Sequence, residues 1–261
     1  MMFSGKVVAI TGAAGGIGQA LCRRFAAEGA AIAALDKSEA LNAFMAEDWA
    51  KGVKTAHAIL DVGDSTGVAE AFAKLTQSLG PVSVLVNNAG FSSHPTFVRT
   101  NPDSWQHEVN GNLNSAYYCA HAVLEGMKAS SGGAIVAIGS VNGLGALGDP
   151  AYSAAKAGMI SLTKSIAVEY GRFNIRSNIV LPGTVRTPLW KIRAAKDPSV
   201  LETLRKWYPL GRIVDPEDVA NAVVFLASDA AAAITGAALP VDCGLSAGNI
   251  VMARELTLEN F

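Results

Sequence analysis

The chain has 261 residues, half of them apolar and only 16% charged, with a formal net charge of −1. That length can bury a sizeable core, while a near-neutral balance with scattered Lys and Arg argues against a nucleic-acid backbone or an anionic membrane as the main partner. No apolar run reaches the length of a membrane span, and Met1-Met2-Phe3-Ser4-Gly5-Lys6 leads into a strand without signal-peptide architecture.

Lys6 to Thr11 is a short β-branched run that stops in Gly12-Ala13-Ala14-Gly15-Gly16-Ile17-Gly18. Ile17, Leu21 and Phe25 then repeat at helical spacing. Strand, glycine loop, helix is the context in which glycines allow a tight turn and let backbone N–H groups reach a pyrophosphate at a helix N-terminus. Gly29 to Asp36 is a second buried strand that ends in an acid. A carboxylate there suits the 2′- and 3′-hydroxyls of an adenosine ribose and repels a 2′-phosphate, although a turn or helix-cap role would also place an Asp at this point. Lys37 adjoins it, but the glycine loop carries no Arg or Lys, so NAD is favoured over NADP.

A helix over Glu39–Ala50, a strand over Lys54–Leu60 closing at Asp61-Val62, a helix over Ser65–Leu79 and a strand over Val82–Val86 follow. The last delivers Asn87-Asn88-Ala89-Gly90, small residues where a parallel strand opens toward a ligand. Asp61 fits either an adenine amino group or a turn. Asn101-Pro102-Asp103-Ser104 starts a long helix from Trp105 to about Met127, interrupted in composition by Asn110, Asn112 and Asn114. A fifth strand, Ala134–Ile138, presents Gly139-Ser140, and the Gly-rich loop Val141–Pro150 leads into a helix from Tyr152 toward Gly171. A sixth strand, Asn174–Leu181, stops at Pro182-Gly183. The stretch 186–212, with Trp190, Ile192, Leu201, Leu204, Trp207 and Tyr208 among charges, reads as a helical lid or as a surface excursion. Asp215 starts a helix through Leu226, Ala237–Val241 is a seventh strand, and residues 245–261 form a tail without strong periodicity. The alternation of strand and helix, with no linker or repeat, makes one α/β domain over residues 1–261.

Tyr152 and Lys156 stand one helical turn apart on one face. A phenol titrates near pH ~10, and a neighbouring ammonium would favour the phenolate, making the tyrosine usable in proton transfer. Taken alone the pair is an ordinary aromatic and cation on a helix. Metal chemistry is not indicated, because His57, His94, His107 and His121 match no ligand spacing. Cys22, Cys119 and Cys243 are odd in number and widely spaced, which suits a reducing cytoplasm.

Together, Thr11-Gly12-x-x-x-Gly16-Ile17-Gly18, Asp61-Val62, Asn87-Asn88-Ala89-Gly90, Asn112, Ser140, Tyr152-x-x-x-Lys156 and Pro182-Gly183-x-Val185-x-Thr187 resemble the short-chain dehydrogenase/reductase family over about residues 5 to 244. The resemblance implies a Rossmann-like, doubly wound sheet of seven parallel strands with helices on both faces. It implies NAD(P)-linked interconversion of alcohols and ketones, and a homotetramer or homodimer. Tyr152 would be the general acid/base, and Ser140 would orient the substrate oxygen. Lys156 would tune Tyr152 and hold the nicotinamide ribose, and Asn112 would anchor a water relaying protons from Lys156. Gly12, Ala14, Gly16, Ile17, Gly18, Asp36, Asp61, Val62, Asn88, Ala89 and Gly90 would line the adenosine and pyrophosphate side. Pro182, Gly183, Val185 and Thr187 would hold the nicotinamide.

The chain departs from the family pattern at two points. The interval from Ser140 to Tyr152 is one residue short of the common spacing, a shortfall that falls on the Gly143–Gly148 loop, and Cys243 stands where glycine is usual. Substrate identity would lie with Asn142, Trp190 and His94, beside Ser92, Ser93, Leu144, Thr184, Leu189, Trp207 and Tyr208; for His94 a place on the rim or surface is the ordinary alternative to a second base. The expected activity is NAD-dependent oxidation of a secondary alcohol such as a polyol, sugar or hydroxy compound, or its reverse. The alternatives are an NADPH-dependent carbonyl or 3-oxoacyl reductase and a dinucleotide-binding regulator without turnover.

Overall fold

The computed structural model describes residues 1–188, 190, 195 and 197–259. The apolar runs form strands β1 (Val7–Thr11), β2 (Ala31–Asp36), β3 (Thr55–Ile59), β4 (Val84–Asn87), β5 (Gly133–Ile138), β6 (Ile175–Pro182) and β7 (Ala238–Val241). All pair in parallel, in one seven-stranded sheet of order β3-β2-β1-β4-β5-β6-β7. The central strands are apolar without alternation because both faces are covered. On β1, Val8 and Ile10 face the layer built from α1 (Gly16–Ala27), α2 (Ala40–Met45) and the helix Pro216–Ala227. Val7 and Ala9 face the layer of α3 (Ser65–Leu79), α5 (Ser115–Ala129) and α6 (Pro150–Tyr170).

The structure differs from the sequence pattern in three places. The helix expected over Glu39–Ala50 ends at Met45, and Asp48–Ala50 is a separate 3-10 turn. There Trp49 stacks on Phe44 and its indole N–H donates to the Phe44 carbonyl at 3.0 Å. The long helix after Trp105 begins as α4 (Pro102–Val109), widens into a π-turn over Asn110–Asn114 and resumes as α5. The tail is not patternless: Ile250–Thr257 is an α-helix, capped by the Asn249 side chain accepting from the Met252 N–H at 3.0 Å.

The sheet order reverses direction between β1 and β4, which opens a crevice at their carboxyl ends. Thr11 and Asn88 tie that point together. The Thr11 hydroxyl accepts from the N–H groups of Asn88 and Ala89, both at 3.0 Å. The Asn88 amide in turn donates to the carbonyls of Thr11 and Gly12 at 2.9 and 3.0 Å.

Candidate active site

The glycine loop sits over this crevice, and its glycines are required by space. A Cβ on Gly18 would lie 2.1 Å from the Gly12 carbonyl oxygen, one on Gly12 would lie 2.9 Å from Ala89 Cα, and one on Gly16 would press on Thr187 and Pro188. Gly15 starts α1 with no side chain capping it and no acid in the first turn, which leaves the helix N-terminus suited to an anion. Asp36, at the end of β2, accepts from the Ala14 N–H at 2.9 Å and from the Ser38 N–H at 2.9 Å. It thereby fixes the loop and stands in the same 460 Å³ cavity as Lys37, Asp61, Val62 and Ala89. Asp61 closes a turn, accepting from the Gly63 N–H at 2.8 Å, and lines this cavity as well. The loop cradle, the open helix end and the acid at the strand end fit a dinucleotide.

A second cavity of 990 Å³ adjoins the first and shares Ile17, Asn88, Gly90, Phe91 and Thr187 with it. It brings together Ser140, Asn142, Tyr152, Lys156, Pro182, Gly183, Val185, Thr187 and Trp190, as the sequence suggests. Ser140 lies just beyond β5, where its hydroxyl accepts from the Asn142 N–H at 3.1 Å. The Asn142 amide donates to Ser153 Oγ at 3.2 Å and to the Gly148 carbonyl at 3.3 Å. The shorter loop closes through two consecutive left-handed residues, Gly148 and Asp149, at φ +88° and +49°. Ser140 remains within hydrogen-bonding reach of Tyr152.

The ionisation of the pair differs from the expectation. Burial among neighbouring atoms pushes the Tyr152 phenol up from its ordinary value; the hydrogen bond with Ser140 pulls it back, and the Asp149 carboxylate pushes it up again. Lys156 is not what tunes it here. Its ammonium lies over the Tyr152 ring, 5.4 Å from the centroid, and donates to the Ile138 carbonyl at 2.8 Å. Only 2% exposed, Lys156 is itself pushed down by burial, to about 7.

Asn112 is fully buried in the π-turn, and its amide is committed to protein: it donates to the carbonyls of Phe91 and Glu108, each at 2.8 Å, and accepts from the Phe91 N–H at 3.2 Å. A proton relay at this residue would therefore run over its backbone carbonyl. Gly90 leaves the room between Asn112 and Lys156, since a Cβ there would lie 2.6 Å from Asn112 Oδ1 and 3.1 Å from Lys156 Nζ.

His94 is not brought to either cavity. Its backbone N–H and Ser93 donate to Glu108 Oε1, at 3.2 Å from His94 and at 3.0 and 3.1 Å from the Ser93 hydroxyl and N–H. Its Nδ1 stands 3.4 Å from the same oxygen. Glu108, fully buried, was not singled out by sequence; neither was Asp149, which lines the larger cavity and accepts from the Ser92 hydroxyl at 2.6 Å. Both have distant partners that no local pattern reveals. Leu245, Ser246 and Asn249 of the tail also line that cavity. Of the expected lid, Leu204, Trp207 and Tyr208 line it, and the buried Tyr208 hydroxyl accepts from the Thr184 N–H at 3.0 Å. Leu189 and Ile192 lie outside the described residues.

The sequence model of a family described as enoyl-(acyl carrier protein) reductase matches residues 12–246. An oxidoreductase of the short chain dehydrogenase/reductase family from Burkholderia thailandensis, a solved structure, is 53% identical with a TM-score of 0.92, covering 98% of each chain. An uncharacterised oxidoreductase of Schizosaccharomyces pombe is 43% identical over 100% of this chain and 98% of its own. A 3-oxoacyl-[acyl-carrier-protein] reductase of Pseudomonas aeruginosa is 39% identical (94% and 99%), and an L-rhamnose 1-dehydrogenase (NAD(P)(+)) of Azotobacter vinelandii is 38% identical (94% and 98%). The chain belongs to the short-chain dehydrogenase/reductase family and is an oxidoreductase of its NAD(P)-binding kind.

Two outcomes follow from the geometry. Gly18→Ala drives a methyl into the Gly12 carbonyl, so affinity for the reduced nicotinamide dinucleotide, NADH or NADPH, read by fluorescence titration, should fall at least about tenfold while far-UV circular dichroism is retained. The second concerns Lys156, which titrates near 7 folded and at the ordinary 10.5 unfolded. Above pH 7 the unfolded chain therefore binds more protons, and folding gains up to about 1.4 kcal/mol per pH unit from this group. In urea titrations of protein purified without cofactor, the unfolding free energy of wild type minus that of Lys156→Met should rise from about pH 7 to 9. A flat difference would show that the lysine is not desolvated.

Proposed function

We propose that the protein is an NAD-dependent oxidoreductase that interconverts a secondary alcohol (a polyol, sugar or other hydroxy compound) and its ketone. The observation that carries this reading is the meeting of Ser140, Tyr152 and Lys156 in one cavity, continuous with the glycine cradle. The nicotinamide, when bound, supplies the hydride acceptor or donor. Ser140 orients the substrate oxygen by hydrogen bonding, and Tyr152 takes the hydroxyl proton in oxidation or returns it in reduction. Lys156 holds the ribose. A proton relay passes over Asn112 to solvent. Pro182, Gly183, Val185 and Thr187 fix the carboxamide side, while Ala14, Gly16, Ile17 and Gly18 carry the pyrophosphate.

Asp36 supports NAD, its carboxylate standing at the end of β2 in the cavity that would take the adenosine. Lys37 lines the same cavity and favours the second reading, an NADPH-dependent carbonyl or 3-oxoacyl reductase. Assembly into a homotetramer or homodimer belongs to the same reading. The buried free thiols of Cys22 and Cys119 agree with a reducing cytoplasm.

Tyr152→Phe should lower kcat for NAD+ reduction at least about a hundredfold while NADH affinity changes less than about threefold, consistent with loss of a general acid/base. Retained turnover would remove Tyr152 from the mechanism. kcat/KM should favour NAD over NADP in the wild type, and Asp36→Ala should narrow that ratio at least about tenfold as the repulsion of a 2′-phosphate is lost; an NADP preference in the wild type would establish the second reading.

A further inference from the structure

We propose that Asp149 is the specificity-determining residue of the larger cavity: with Ser92 and Asn142 it takes a hydroxyl of a neutral, polyhydroxylated substrate beside the reacting carbinol and turns away substrates carrying a carboxylate or phosphate there. This rests on the alcohol–ketone reading above and narrows its substrate class.

Three observations meet at this residue. Asp149 precedes the first turn of α6, where an Asp side chain ordinarily caps the helix, yet it makes no capping hydrogen bond. Its backbone is held in the left-handed region at φ +49°, and its carboxylate accepts instead from the Ser92 hydroxyl at 2.6 Å, across from the catalytic helix. The Asp149 N–H donates to the Pro95 carbonyl at 3.1 Å, so the segment 92–95 and the start of α6 are fastened together on both sides of this residue. The segment's other side is fixed by buried Glu108 through Ser93 and His94. The geometry of Asp149 is therefore set by the fold and is not that of a loose surface acid.

Electrostatics give the arrangement its direction. Among the described residues lining the cavity, Asp149 and Lys156 carry the formal charges, and Lys156 is buried against the Ile138 carbonyl. An anionic substrate group placed near Asp149 meets a like charge at short range. A substrate hydroxyl meets the reverse. A carboxylate is acceptor-only, and the Ser92 hydroxyl, which donates to it, and the Asn142 side chain in the same cavity keep acceptor capacity for a substrate hydroxyl. The same charge reaches Tyr152, whose phenol it pushes up. Asp149 thus acts on both the substrate and the base.

Asp149→Asn is the informative variant, because asparagine tolerates the left-handed backbone and its amide oxygen still accepts from Ser92. NAD+-linked oxidation is compared for neutral and anionic members of matched pairs, such as xylitol with xylonate and butane-2,3-diol with 3-hydroxybutanoate. In the wild type the neutral member should be preferred in kcat/KM by roughly tenfold or more, and the variant should close that gap by about tenfold, chiefly through faster oxidation of the acid. In oxidation the rising limb of the pH profile should also move to lower pH in Asp149→Asn, since a negative charge that opposed the phenolate is gone. A wild-type preference for the acid, or an unchanged ratio in the variant, overturns the proposal. If the wild type oxidises no alcohol at all, the functional reading fails instead, and calorimetric titration of the NADH-saturated protein with xylonate and xylitol decides Asp149 on its own. Tighter xylonate binding in the variant supports the role, and equal binding removes it.

Discussion

The junction of β1 and β4 is the constraint from which the rest of the site follows. The connections that follow β1 and β4 pass to opposite faces of the sheet, so the carboxyl ends of these two neighbours are left open to a ligand. In this chain the gap is held at a set width by Thr11 and Asn88, whose side chains satisfy backbone groups of the opposing strand end. Because the Asn88 amide takes the Gly12 carbonyl, the crevice and the glycine loop share one set of hydrogen bonds. A side chain on Gly12 would meet Ala89 and Asn88 at once. The same closeness that makes the loop a cradle forbids any residue but glycine at positions 12 and 18.

From that junction the second half of the chain is placed by burial. Lys156 is carried into the protein by α6, where its ammonium donates to the Ile138 carbonyl at the end of β5. Such a lysine is costly to keep charged and is pushed down to about 7, while the neighbouring phenol is pushed up. The two shifts have the same cause and opposite sign, since burial disfavours the ammonium and the phenolate alike. The pair is therefore further apart in proton affinity than free lysine and tyrosine: the cation is readily lost, and the phenol is held protonated until a charge arrives to favour its release. A positively charged nicotinamide is such a charge. On the proposed reading, proton transfer would depend on cofactor binding.

Much of the fold is legible in the chain because its signals are local. α3 spans Ser65–Leu79, as the sequence suggests, since Asp64 caps it, accepting from the Thr66 N–H, and Gly80 at φ +100° stops it. Strand ends are legible for the same reason, each apolar run breaking at glycine, asparagine or aspartate. The π-turn is not legible, because it depends on Asn112 finding Phe91 across the crevice; the three asparagines mark an anomaly without saying which way the backbone yields. The helix Ile250–Thr257 has no buried residue, so no apolar face of a core-packing helix marks it in the sequence. Among site residues, Tyr152 and Lys156 are read from helical spacing and Ser140 from the family resemblance, whereas Asp149 and Glu108 gain meaning only from Ser92, Ser93 and His94, brought to them by the fold.

The shortened interval between Ser140 and Tyr152 ties these observations together. The loop turns back onto α6 through two residues of positive φ in succession, and the second of them is Asp149. Glycine would meet that backbone requirement at less cost, as Gly148 does. An aspartate held there accepts some strain, gives no cap to the helix it precedes and leaves a carboxylate facing the phenol it disfavours. Each of these works against the stability or reactivity of the local structure. They are reconciled by a ligand that gains from the charge, and a hydroxyl donor in the cavity is a group of that kind.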